Sequence, residues 1–222
     1  MSYSYQFRFY NPNRMCTPQE VASAIQALVG YGGARATDYE LSGRRYRLAP
    51  GQALDPASVV ETNSRSAIGL LVPRGPGQVD ILFQTFPFEE KGAFAVLAVD
   101  EKYMADAPGP VANLLLALVK LVNLHLPALF AWGDHELELQ RLEPALTFDH
   151  VAALAWANLF SPKLVTRMGQ TQMGQAPAYQ IQTFKQGTLY LLATDPIALI
   201  GSPVVEQVAT YFPGCMVSGK HT

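Results

Sequence analysis

Three apolar runs decide how this chain is read: Ala67-Ile68-Gly69-Leu70-Leu71-Val72, Val79-Asp80-Ile81-Leu82-Phe83-Gln84-Thr85-Phe86 and Ala93-Phe94-Ala95-Val96-Leu97-Ala98-Val99. Each has strand length and is bounded by turn residues. The separators, Pro73-Arg74-Gly75-Pro76-Gly77 and Pro87-Phe88-Glu89-Glu90-Lys91-Gly92, have lengths that suit an antiparallel meander. Leu71-Val72-Pro73-Arg74-Gly75 has the look of a protease-cleavable linker, but it runs on into Pro76 between two strands and is native sequence.

Toward the amino terminus, Tyr5-Gln6-Phe7-Arg8-Phe9 alternates with period two, which predicts a strand burying Tyr5, Phe7 and Phe9. Thr17-Pro18-Gln19-Glu20 then reads as a capping box, with Val21, Ile25, Leu28 and Val29 forming one apolar stripe of a helix before Gly30. Residues 31–64 are polar and rich in Gly and Pro, giving a weak strand near Tyr39 to Leu48 and a long loop.

Toward the carboxyl terminus, Val111 to Leu126 is the longest apolar run. It falls short of the ~20 residues needed to span a membrane, and Asn113, Lys120 and Asn123 fall toward one side, so it predicts a central buried helix. Gly109-Pro110 starts that helix and Pro127 stops it. Glu136 to Leu142 alternates as a strand, and Phe148 to Phe160 and Pro162 to Met168 read as helices. Tyr179 to Phe184 and Thr188 to Ala193 form a hairpin around Gly187, and a last helix begins at Ser202-Pro203. Strands in runs, with helices at both ends and in the middle, predict an α+β fold: a largely antiparallel sheet of about six to eight strands packed with about four to five helices. One domain over residues 1–222 is the simpler organisation, with a subdivision near 105–110 as the alternative.

Hydrophobic residues make up 49% of the 222, ample for a substantial core. Charged residues are only 15% and the net charge is −2, which leaves no broad basic field for nucleic acid and no acidic tail. Cys16 and Cys215 cannot form the disulfide framework of a small secreted domain; one bridge between them stays geometrically open, and two reduced thiols are the expectation. The first residues lack a basic segment followed by an apolar one, so the chain is expected in the cytoplasm.

Catalytic motifs are absent. Neither a nucleophile elbow nor a phosphate loop is present, and Ser218-Gly219-Lys220-His221-Thr222 reads as a tail. His125 and His150 sit at helix ends, and nothing around Cys16 supports a thiol and base pair. Asp134-His135-Glu136 with Glu138 gathers metal-ligand types, but neighbours on a strand point to opposite faces and no second His follows at helical spacing. Arg44-Arg45-Tyr46-Arg47 with Arg35 is the one basic cluster and reads as a solvated face; Glu89-Glu90 has the same status with opposite sign.

A resemblance attaches to Thr147–Thr194. A helix reading Trp156-Ala157-Asn158-Leu159-Phe160, then Ser161-Pro162-Lys163-Leu164-Val165, Arg167-Met168-Gly169, Ala176-Pro177-Ala178-Tyr179 and Gly187-Thr188-Leu189-Tyr190-Leu191-Leu192 together resemble immunity protein family fifty-two. Members of that family resemble type VI secretion immunity proteins that neutralise restriction-endonuclease-fold toxins. The resemblance implies a non-enzymatic cytoplasmic antitoxin that binds a cognate nuclease effector stoichiometrically, with no cofactor, no metal, no direct nucleic-acid contact and no membrane. The family carries no catalytic residues to transfer. Trp132, Asp134, Glu136 and Glu138 are the expected toxin contacts, because an aromatic anchor beside carboxylates suits an interface. The alternatives are a small-ligand or metal-dependent enzyme with a pocket near His135 and Glu136, and an adaptor that escorts an effector.

Overall fold

The alternation at residues 5–9 becomes β1 (Ser4–Tyr10), which stands near the middle of a ten-stranded sheet. The computed structural model describes residues 3–12, 16–41, 43–49, 51–60, 65–74, 77–86, 92–147, 151–168, 170–212 and 214–219. After β1, Thr17 caps α1 (Pro18–Val29): its Oγ1 accepts from the Glu20 amide, and the Glu20 carboxylate accepts from the Thr17 amide at 2.9 Å. The expected stripe is buried at Val21, Ile25 and Leu28.

Where a single weak strand was expected over Tyr39–Leu48, the chain forms a hairpin of β2 (Arg35–Leu41) and β3 (Arg44–Arg47). Gly43, at φ +74°, supplies the left-handed residue that the turn requires. The three decisive runs form β4 (Ser66–Arg74), β5 (Gly77–Thr85) and β6 (Ala95–Asp100), an antiparallel meander as predicted. A short α2 (Glu101–Asp106), capped by Asp100, leads into α3 (Pro108–His125), the central helix. Its side chains at Val111, Leu115, Leu118, Val119 and Val122 are buried, and among the described residues no helix is long and apolar enough to cross a membrane.

The strand lies at β7 (Phe130–His135), one segment earlier than expected, and Glu136–Leu142 is a helix, α4. His135 caps α4 by accepting from the Leu137 amide, Glu136 and Glu138 suit the positive first turn, and Leu139 and Leu142 are buried at helical spacing. The helix expected over Phe148–Phe160 is instead β8 (Ala153–Leu154) and β9 (Ala157–Phe160); residues 148–150 lie outside the described residues. β9 runs between β7 and β11 (Gly187–Leu191) with every residue buried, so no alternation survives to mark it as a strand.

The remaining elements are α5 (Pro162–Met168), α6 (Gln170–Gln175), β10 (Gln180–Phe184), α7 (Pro196–Leu199), α8 (Pro203–Tyr211) and β12 (Met216–Val217). The β10–β11 hairpin, α5 and the Ser202-capped α8 match the sequence reading. The main sheet runs β10-β11-β9-β7-β1-β6-β5-β4-β2-β3, every neighbouring pair antiparallel, and β12 pairs with β8 in parallel. Twelve strands and eight α-helices among the described residues exceed the expected numbers, within the same α+β class.

Candidate interaction surface

Alternation along β1, β6, β5 and β4 sends opposite chemistries to the two faces of the sheet. Phe7 and Phe9, Leu97 and Val99, Ile81 and Phe83, and Ile68 and Leu70 share one buried cluster with Ile25 and Leu28 of α1 and Leu115 and Val119 of α3. The intervening residues form the other face. Register aligns Gln6 with Ala98, Ala98 with Leu82, and Leu82 with Gly69; a second row aligns Arg8 with Val96 and Val96 with Gln84.

This second face is open over half the sheet and makes a concavity of about 1180 Å³. Ala98 keeps its floor low in the middle, while Gly69 makes room for a neighbouring side chain. A Cβ on Gly69 would lie 2.7 Å from the Asp38 carboxylate, which folds across it. Asp38 in turn accepts from Arg45 Nε at 2.8 Å on one flank. On the other flank, Arg8 of β1 pairs with Glu143, tying the floor to the wall formed by Glu143, Pro144 and Leu146. One end carries Ser4, Asp80 and Asp100; the other carries Gln84 and Phe86. Asp80 accepts from the Tyr103 hydroxyl at 2.5 Å.

The same face continues onto β7 and β9, where it is roofed. Trp132 lies opposite Arg8 and Asp134 opposite Gln6, so both belong to the rows of the groove floor. Residues 145, 147 and 151–153, with Leu164 of α5, close over Phe130, Trp132 and Phe160. This corrects part of the expected contact set. Trp132 is core, 3% exposed and packed against the rings of Tyr10 and Phe130. Asp134 is a buried tie: its carboxylate accepts from the Trp156 amide at 2.6 Å and the His135 amide at 2.8 Å. Burial pushes its pKa up to about 6, against the pull of its hydrogen-bond donors.

Glu136 and Glu138 are partly exposed and serve the chain itself. Glu136 accepts from Ser4 Oγ at 3.2 Å; Glu138 accepts from Arg141 at 2.9 Å and from the Gly219 amide at 3.4 Å, holding the last described residues onto α4. His135 sits between the rings of Tyr3 and Tyr5, with Nε2 at 3.5 Å from Glu101. Among the described residues no three His, Cys, Asp or Glu side chains gather as metal ligands, and neither His135 nor Glu136 lines the concavity.

The other sequence candidates scatter. Cys16 and Cys215 are not joined in a disulfide, and burial pushes the Cys215 thiol up to about 11. His125 ends α3, while Met15, Glu89, Glu90 and His150 lie outside the described residues. Arg44, Arg45 and Arg47 are exposed on the edge strand β3, with Tyr46 stacked on Tyr39 at 5.1 Å. Sequence reasoning missed the groove residues Gln6, Arg8, Asp80 and Gln84. Their signal was the polar half of each strand's alternation; what gathers them is strand order, with β1 placed beside β6 rather than beside β2.

The architecture is therefore an antiparallel sheet covered by helices on one face and half-roofed on the other. No protein-family model matches the chain, and no curated protein matches it in sequence. Among solved structures it is similar to the Pseudomonas aeruginosa T6SS protein PA0821, with a TM-score of 0.53 over 97% of this chain and 73% of that one, at 10% sequence identity. At that identity the likeness is one of fold.

Proposed function

We propose that this chain is a cytoplasmic immunity protein that binds a nuclease effector of type VI secretion one to one and so protects the producing cell and its siblings. The observation that carries the reading is the open half of the sheet: a preformed concavity of about 1180 Å³, edged by ion pairs and built on strands fixed on both sides. Such a surface engages a partner with little ordering cost. The resemblance over Thr147–Thr194 supports the immunity reading, and the fold shared with a T6SS protein is compatible with it. Inhibition by this route is steric: the partner loses access to its own substrate for as long as the complex lasts.

The test is co-expression with the product of the adjacent gene. The expected outcome is restored growth and a one-to-one complex on size-exclusion chromatography with light scattering. Growth arrest despite equal expression of both chains would refute the proposal.

A further inference from the structure

We infer that β10 is the docking edge for a second copy of this chain: two β10 strands pair antiparallel about a two-fold axis at Ile181, and the two sheets become one. The inference does not rest on the immunity reading.

The two edges of the main sheet differ. β3 ends it on one side with three arginines in four residues, the kind of charge that keeps a strand edge from pairing with other chains. β10 ends it on the other with Gln180-Ile181-Gln182-Thr183-Phe184, which holds neither charge nor proline. Among the described residues no strand lies on its outer side. The two-residue turn Lys185-Gln186 closes on the pair Phe184 with Gly187, so counting back by twos gives Gln182 and Gln180 the main-chain bonds to β11. Ile181 and Thr183 therefore turn their N–H and C=O groups outward, where a further strand can meet them.

Apolar side chains flank this edge on both faces. Tyr179 and Ile181 are exposed on one. The row Phe9, Ala131, Leu159, Leu189 and Gln182 leads to the other, the side of α3, where Lys120 Nζ donates to Gln182 Oε1 at 2.5 Å. Leu124, one helical turn beyond Lys120, is exposed beside the hairpin, whose Gln186 carbonyl accepts from Asn123 Nδ2 at 3.3 Å.

The occupant follows from self-complementarity. A two-fold at Ile181 sets that side chain on its own copy, Gln180 opposite Gln182, and Tyr179 opposite Thr183. Carboxamides both donate and accept, so glutamine matches glutamine without charge, and the Lys120 ammonium gains a second amide oxygen. Ile on Ile and Tyr on Thr are favourable cross-strand pairs. A strongly charged strand would find no counter-charge within β10. The contact is small for a specific interface, so the dimer is weak and forms at high protein concentration. β10 stands four places from β1 in the sheet, so each copy keeps its concavity open and the dimer presents two of them.

The experiment is sedimentation equilibrium of the full chain from micromolar to near-millimolar concentration, with amide hydrogen exchange at both ends of the range. The mass should rise from one chain toward two. Exchange at Ile181 and Thr183 should slow with concentration, while Gln180 and Gln182 are protected throughout. Ile181→Lys, at an exposed position, should weaken association at least tenfold with an unchanged melting temperature, and Arg44→Ser on the opposite edge should leave it as it is. A monomer at every concentration, a dimer that survives Ile181→Lys, or new protection in β3 instead of β10 overturns the inference.

Discussion

Asp134 is a carboxyl whose chemistry is set by its surroundings. Its folded pKa, about 6, lies above the unfolded value of ~3.9, so the folded state favours the proton. Stability from this group is therefore fully present below about pH 4 and is lost as pH rises through about 6, by an order of 3 kcal/mol. Urea unfolding of the wild type and Asp134→Asn at pH 4 and pH 7 should show the difference moving in the variant's favour with pH; a gap that does not change with pH would rule the effect out. Gly133 is constrained by space instead. A Cβ there would fall 2.2 Å from the buried Phe7 ring where β1 crosses β7, so Gly133→Ala should lower stability by about 3 kcal/mol in denaturant melts. Trp156 packs edge-on against Phe7 and donates its indole N–H to the Ala193 carbonyl at 3.0 Å. Trp156→Ala should cost about 3 to 5 kcal/mol and reduce partner binding only through unfolding, which calorimetry beside a pull-down would separate.

At the scale of elements, legibility tracked whether an element shows one face to water. α1 and the β4–β5–β6 meander were readable because Thr17-Pro18-Gln19-Glu20 marks a start and Val79, Ile81 and Phe83 alternate with Asp80, Leu82 and Gln84. Replacing Thr17 by Ala should remove about 1 kcal/mol through loss of the cap, measurable as a shift in melting temperature. β9 was unreadable for the opposite reason: buried on both faces and rich in helix-favouring Ala, it carries no period at all. What holds it as a strand is tertiary. Asn158, wholly buried, accepts from the Ala155 amide and donates to the carbonyls of Ala155 and Tyr190, fixing a turn that a local reading cannot see. α4 shows a third cause, since Glu136-Leu137-Glu138-Leu139 alternates like a strand, while the buried pair Leu139 and Leu142 and the His135 cap belong to a helix. The candidate site was the least legible part. The aromatic and acidic residues of β7 stood out in sequence, yet they share their rows with Gln6 and Arg8 on the roofed side of the boundary, and the exposed groove consists of unremarkable alternate residues.

For the whole molecule, the order of strands matters more than their number. β1 holds residues 4–10, but its two neighbours are β6 at 95–100 and β7 at 130–135. A ribosome delivers these in sequence at ~5–20 residues per second, so β1 emerges roughly ten seconds before both its neighbours exist. Phe7 and Phe9, fully buried in the finished protein, spend that interval as an unsatisfied apolar strand. Pairings so distant along the chain also close slowly once they can form. The middle strand of the sheet is thus synthesised well before either of its partners, and a nascent chain truncated before residue 130 would carry a central strand with one side open to other chains.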